Sequence, residues 1–322
     1  MAFLSAGVSQ SNAGLSELWP AGARHEDDFA SLIEKVGSDV VGALDCASTA
    51  IHIGGGNDDD WFREWSVTGE LSANRAKAAA GAGNFASARD NWKRAAIYFG
   101  AAEMYLSSRD KRRQQVIARM RACSRNYIEQ LDPVGRVITI AGGIGAASEG
   151  YLVGNANPLA PVVICVGGWG DLKESYLPLI QPALDEGLSV LLVEAPSVRD
   201  LPGLGFDRFG TASYLIACVD CLEQIDGYEE RSIVVYGIGA GASFASQAAS
   251  LDSRIKFAVS DVDELGELAE LSPLHSLPGA PRLAKGTGPC SKAEAMPARR
   301  SRARPERSTG DIWRWIAGRA SR

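Results

Sequence analysis

The sequence predicts an α/β protein in which an all-helical N-terminal region precedes a mostly parallel sheet that stops short. Three observations predict this. Up to about residue 130 the apolar residues recur at three- and four-residue spacing with no strand-like run between them. From Val134 onward, short β-branched runs alternate with helical segments, the pattern of a sheet buried on both faces. After about Leu277 that alternation fails and gives way to Pro, Gly, Ala and Arg. The expected organisation is a helical domain at 1–130, an α/β core at 131–275 and a basic tail at 276–322.

The helical elements follow in order as DDFASLIEKVGSDVVGALDCA, DDDWFREWSVTGELSANRAKAAAGAG, FASARDNWKRAAIYFGAAEMYL and DKRRQQVIARMRACSRNYIEQL. The last two are joined through SSRD and are expected to fold back as an antiparallel helical hairpin. Asp58, Asp59 and Asp60 open the second of these segments, where acidic side chains favour the helix dipole; a hard cation is the competing reading. Trp61, Trp65, Trp92 and Tyr98 fall at core spacing, with a cavity lining as the functional alternative. His25 and His52 match no motif.

In the second region, RVITIAGG and GYLVGN read as a strand hairpin, followed by strands PVVICVGG, LSVLLVEAP, SIVVYG and IKFAVSD. Helices are expected in KESYLPLIQPALDEG, DRFGTASYLIACVDCLEQID and AGASFASQAASLD. The tail offers only a short helix near 312–317. It reads either as a disordered basic tail or as a C-terminus replaced by a frameshift, because the strands end where more are expected.

Composition narrows the function classes. The net charge is −6, but residues 276–322 hold 11 lysines and arginines against 3 acids, a charge of +8 that leaves −14 on residues 1–275. An acidic body argues against specific nucleic-acid binding, and arginine clustering in the tail gives only salt-sensitive attraction. No apolar run reaches the roughly 18 residues of a membrane span. The six cysteines are scattered and the first residues lack a secretory pattern, so a cytoplasmic protein with reduced thiols is expected. Cys218 and Cys221 form a CxxC inside an amphipathic helical pattern, where two core thiols are expected rather than a redox or zinc site.

Two turns could carry function. Gly237, Gly239 and Ala242 fit GxGxxA, a dinucleotide-binding turn, and Asp261 lies 22 residues past Gly239, where a ribose-binding acid would be. Alternatively, Gly237-Ile238-Gly239-Ala240-Gly241 is a nucleophile elbow, GxSxG, with glycine in place of the serine. The turn comes late, after several strands, and strand PVVICV already ends in Gly167-Gly168-Trp169-Gly170, a glycine loop suited to supply oxyanion N–H donors. That order favours the elbow.

The segments DDDWFREWSVTGE (58–70), SARDNWKRAAIYFGAAEMYL (87–106), GYLVGN (150–155), VGGWGDLKE (166–174), LLVEAP and YGIGAGASFA together resemble one family. It is the α/β-hydrolases with an N-terminal helical cap domain, the group that includes 2,6-dihydroxypseudooxynicotine hydrolase, the fermentation-respiration switch protein and the fusarin-cluster hydrolase. The resemblance spans roughly residues 55–265. It implies an α/β-hydrolase sheet, here incomplete, and cleavage of C–C or ester bonds in small ketone- or polyketide-like substrates by a serine nucleophile, an acid and a late histidine. No cofactor and no metal are implied.

Carried over, the nucleophile position falls on Gly239, which has no atom to attack a carbonyl, and the oxyanion donors fall on the Ala240 N–H and one N–H of the Gly168–Trp169 loop. The resemblance therefore implies a degraded triad and an impaired or absent activity, a pseudoenzyme. Asp261 and Asp263 follow the last strand as helix-capping acids, and His275 lies too close to that strand for the expected late loop. Ser243 sits one helical turn beyond Gly239, about 6 Å along the axis and away from the oxyanion loop. Three other readings stay open: a noncatalytic small-molecule binder, an NAD(P)-dependent oxidoreductase using the GxGxxA turn, and a damaged gene product. A homodimer is compatible with all of them.

Overall fold

The computed structural model describes residues 19, 25–36, 39–53, 57–141, 147–157, 159–196, 208–260 and 309–321. Asp261, Asp263, His275 and Cys290 lie outside the described residues. The chain divides into two compact units, Met1–Val134 and Gly135–Arg322.

The first unit is helical: α1 (Glu26–Val36), α2 (Val40–Ile53), α3 (Asp58–Gly81), α4 (Phe85–Glu103) and α5 (Lys111–Glu129). Polar caps set three of the helix starts. Asn57 Oδ1 accepts from the N–H groups of Asp59 and Asp60, Asn84 caps α4 through the Ser87 N–H, and Asp110 caps α5 through the Arg112 N–H. The aspartates 58–60 thus lie in the first turn of α3, with Asp60 on Arg63, Asp59 on Arg112 and His25 Nε2 3.1 Å from Asp58. Among the described residues no group of His, Cys, Asp and Glu is placed to hold a metal ion.

The core of this unit is aromatic. Trp61, Trp65, Phe29, Tyr98 and Phe99 are buried, with Trp65 and Tyr98 stacked at 5.6 Å and the Trp61 Nε1–H donating to the Ala101 carbonyl at 2.7 Å. Between α2 and α3 a buried hydroxyl pair, Thr49 and Thr68, closes at 2.6 Å. Arg94 is buried and donates to Asp39 at 2.7 Å, tying the start of α2 to α4.

The second unit is built on a six-stranded sheet, β1 (Arg136–Ile140), β2 (Ser148–Val153), β3 (Val162–Val166), β4 (Ser189–Val193), β5 (Ile233–Gly237) and β6 (Ile255–Ser260), in the order β1-β2-β4-β3-β5-β6. β1 and β2 are the expected antiparallel hairpin, β2 pairs antiparallel with β4, and β4, β3, β5 and β6 run parallel. Every residue of β3, β4 and β5 is buried, which is why their sequences are unbroken apolar runs rather than alternating ones. Helices α7 (Arg208–Glu223) and α8 (Gly241–Leu251) follow β4 and β5. The segment expected as one helix after β3 is instead a 3-10 turn, Lys173–Leu179, leading into the short α6, Ile180–Asp185. Pro178 and Pro182 withhold backbone N–H donors there, which prevents a continuous α-helix.

The tail, expected to hold at most a short helix at 312–317, contributes α9 (Thr309–Ala320). Trp313, Ile316 and Ala320 are buried, Trp313 meets Tyr236 edge-on at 5.4 Å, Trp315 meets Phe257 at 5.9 Å, and Lys256 Nζ donates to the Ala320 carbonyl at 2.9 Å. Among the arginines of the tail, Trp313, Ile316 and Ala320 recur at three- and four-residue spacing and place one apolar stripe against the sheet.

Candidate active site

The parallel strands begin at β3, continue to β4 on one side and cross to β5 on the other, so the chain reverses direction between β3 and β5. Open α/β sheets bind ligands outside the carboxyl ends of the strands at such a switch point. Both glycine turns singled out in the sequence lie there, one after β3 and the other after β5.

The turn after β5 is held by close packing. Gly239 has φ +54°, a left-handed conformation that side chains other than glycine's disfavour. A Cβ on Gly237 would stand 2.5 Å from Ala242 Cα, and one on Gly241 would overlap the Val166 carbonyl oxygen and lie 2.8 Å from that of Gly167. The two outer glycines therefore let α8 start directly against the end of β3. The Ile238 N–H donates to the Val166 carbonyl at 2.9 Å, and Gly239 accepts from the Ala242 N–H at 3.0 Å, closing the first turn of α8.

The glycine loop meets this turn side by side: a Cβ on Gly168 would lie 3.1 Å from the Ala240 Cβ. Gly168 donates its N–H to Asp171 Oδ2 at 2.7 Å, and that oxygen also accepts from the Tyr176 hydroxyl at 2.9 Å. The Gly168 donor is thus committed within the loop. Trp169 is part-exposed, its ring 4.8 Å from that of Phe244 on α8. Among the described residues no acceptor stands against the Ala240 N–H. Ser243 directs its hydroxyl back to the Ala240 carbonyl at 3.0 Å, the ordinary use of a serine in a first helical turn.

A cluster that the sequence did not reveal lies beside the loop. Lys173 and Glu174 are buried; Lys173 Nζ lies 3.2 Å from Glu174 Oε1 and 3.6 Å from Glu194 Oε2, and Glu174 Oε1 accepts from the buried Tyr151 hydroxyl at 2.6 Å. Glu194 is the residue directly after β4, so the cluster also sits at the carboxyl end of the parallel strands. Removing these charges from water is expensive unless each is paired, and the pairing fixes the segment that follows the glycine loop. The signal in the sequence was a Lys-Glu pair just after GGWG and a glutamate ending LLVEAP, but exposed charges read the same way.

The CxxC thiols are not reactive-looking. Burial pushes the Cys218 thiol pKa well up, and Cys221 is raised for the same reason, the opposite of the depressed value a redox thiol needs.

A sheet of this order with a glycine elbow after the third parallel strand and a glycine loop after the first defines an α/β-hydrolase fold. A dinucleotide turn would follow the first parallel strand, which here carries GGWG instead. Among solved structures the chain is similar to the crystal structure of a 2,6-dihydroxy-pseudo-oxynicotine hydrolase, with a TM-score of 0.53 and 22% identity over 62% of this chain and 56% of that one. It is also matched to AbyA5, with a TM-score of 0.46 and 16% identity over 72% of this chain and 62% of that one. A dienelactone hydrolase from Anabaena variabilis matches with a TM-score of 0.34 and 22% identity over 39% and 62%. At 22% identity the first of these likenesses establishes the fold alone, and this chain spans little more than half the length of that structure. No protein-family model and no curated protein matches the sequence. No helix among the described residues is long and apolar enough to cross a membrane.

Proposed function

We propose that the chain is a serine-hydrolase relative whose covalent chemistry is impaired, and that its remaining role is to bind a small ketone or ester. The observation that carries this reading is Gly239: it occupies the crown of the elbow, at φ +54° and at the N-terminal end of α8, where a nucleophile would project, and it has no side chain. The parts that depend only on backbone support the binding half of the proposal. The Ala240 N–H stands at the start of α8 beside the glycine loop, and one N–H of the Gly168–Trp169 loop is the second donor we propose for a bound carbonyl oxygen. Serine attack and formation of an acyl-enzyme are the steps for which Gly239 supplies no group. We place the protein in the cytoplasm; all five described cysteines are free thiols, consistent with that setting.

The test pairs binding with turnover. A series of small aryl ketones should raise the melting temperature saturably, by the mass-action stabilisation that any ligand of the native state produces. Short-chain p-nitrophenyl esters should be hydrolysed no faster by the protein than by an equal concentration of heat-inactivated protein. Saturable ester turnover by the wild-type chain would refute the impaired-catalysis half, and the absence of any ketone-dependent shift would refute the binding half.

A further inference from the structure

The start of α1 is fastened to the helical unit by a buried histidine in a left-handed backbone conformation. His25 lies at φ +73°, a region that residues other than glycine disfavour, while its carbonyl accepts from the Phe29 N–H at 2.9 Å and so opens the helix. Such a conformation persists where surrounding contacts hold it. The His25 side chain is 2% exposed, with Nε2 3.1 Å from Asp58 Oδ1 at the start of α3. Its ring lies 3.9 Å from that of Tyr105 and 5.0 Å from that of Trp61, centroid to centroid. The Tyr105 hydroxyl in turn donates to Asp28 in the first turn of α1. Earlier in the chain, Trp19 is buried against the same aromatic core, 5.0 Å from Phe29 and 5.6 Å from Trp61.

We propose that the His25 imidazolium paired with Asp58 is a proton-operated latch. While His25 is charged it keeps Trp19 and the start of α1 on the helical unit, and loss of the proton loosens them. Among the described residues, the titratable and charged groups set around the ring are Asp58 from α3, Tyr105 just past α4, and Glu26 and Asp28 from α1. Asp59 and Asp60, the other acids of that α3 turn, are engaged by Arg112 and Arg63. Arg24, the preceding residue, lies outside the described residues. Two influences oppose the charge: burial of the ring, and the N-terminal ends of α1 and α3, whose dipoles repel a cation. The acids in the first turns of both helices offset those ends. The Asp58 carboxylate stands at ion-pair distance, and the Trp61 and Tyr105 rings lie within the reach of about 6 Å at which aromatic rings attract a cation. The nearest contacts all favour the imidazolium, so folding takes up a proton. The stability this contributes is complete below the ordinary histidine value of about 6.5 and is lost as the pH rises through the higher folded value. With the charge gone, attraction to Asp58 and to both rings weakens together, and the left-handed backbone at His25 favours release.

Nuclear magnetic resonance titration of the full chain, carbon-labelled at histidine Cε1, tests this. The signals of His25, His52 and His275 are assigned by replacing His52 and His275 with Gln in turn. The His25 midpoint should lie about one pH unit or more, tenfold in proton affinity, above its value in the urea-unfolded chain, and Asp58→Asn should lower it by about one unit. Over the same pH range, acrylamide quenching of Trp19, taken as the difference between the wild type and Trp19→Phe, should rise with the His25 midpoint. The variant His25→Asn, which tolerates the left-handed backbone, should remove that rise. A His25 midpoint at or below its unfolded value would overturn the proposal, as would Trp19 quenching that does not follow the titration. An unchanged midpoint in folded Asp58→Asn would overturn the choice of Asp58 as the partner. The wild-type titration and quenching decide the question even where a variant fails to fold.

Discussion

Replacing the three elbow glycines one at a time with alanine separates a turn built around a projecting central side chain from one that needs glycine throughout. At Gly239 the cost set by the backbone is that of an L-residue at φ +54°, about 1–2 kcal/mol, of which about 0.4–1 kcal/mol is returned by the stiffer unfolded chain. The net loss for Gly239→Ala is therefore about 1 kcal/mol. At Gly241 the added Cβ meets two backbone carbonyl oxygens, those of Val166 and Gly167, neither of which can rotate away. Seating it pushes α8 off the end of β3, with an overpacking cost of about 1–3 kcal/mol, and strains the Ile238-to-Val166 hydrogen bond, worth about 1 kcal/mol. Gly237→Ala faces the same situation against Ala242 and Gly241. Urea denaturation followed by circular dichroism should rank Gly239→Ala well above the other two, with a gap of about 2 kcal/mol. Equal losses at all three positions, or a neutral Gly241→Ala, would refute the elbow geometry described above.

Other predictions address the surrounding structure. Lys173→Met leaves Glu174 buried without its cation and should cost about 3–5 kcal/mol in urea melts, whereas adding Glu174→Gln should recover part of that loss, a coupling read from the double-mutant cycle. Trp313→Ala removes the buried anchor of α9 and should destabilise the second unit by about 3–5 kcal/mol; a loss below about 0.5 kcal/mol would mean that α9 does not hold to the sheet. In the first unit, burial raises the Asp39 pKa, but hydrogen bonds from Arg94 and the Gly42 and Val41 N–H groups outweigh it and hold it below the ordinary 3.8. Its contribution to stability is then complete above pH 3.8 and lost as pH falls through the lower folded value. Asp39→Asn should flatten that part of the acid limb, as seen in melting temperatures recorded below pH 4.

Much of the fold could be read from residue pattern because burial and pattern coincide in the sheet. β3, β4 and β5 are buried on both faces, so VVICV, SVLLV and IVVYG carry no polar residue that would disguise them except the buried Ser189, which donors reach from the Asn155 N–H and Arg231. The elbow was readable for a related reason: a tight strand-to-helix crossing excludes side chains at Gly237 and Gly241, and glycine spacing records that exclusion. The Lys173 cluster was not readable, because a lysine followed by a glutamate looks the same whether solvated or buried, and only the third dimension brings Tyr151 and Glu194 to it. The split of KESYLPLIQPALDEG into a 3-10 turn and a short helix was within reach through its two prolines. The docking of α9 depends on Tyr236 and Phe257, far away in sequence, and no local pattern in the tail reports them.

Whether the elbow can form a covalent bond separates an impaired hydrolase relative from a working one. Intact-mass spectrometry after incubation with an alkyl fluorophosphonate, which phosphonylates activated serines by displacement of fluoride, measures this directly. The wild-type chain should keep its unmodified mass, since Gly239 supplies no nucleophile and the Ser243 hydroxyl is turned to the Ala240 carbonyl. A stoichiometric phosphonyl adduct mapping to Ser243, or to any other residue of the β3–β5 switch point, would contradict it.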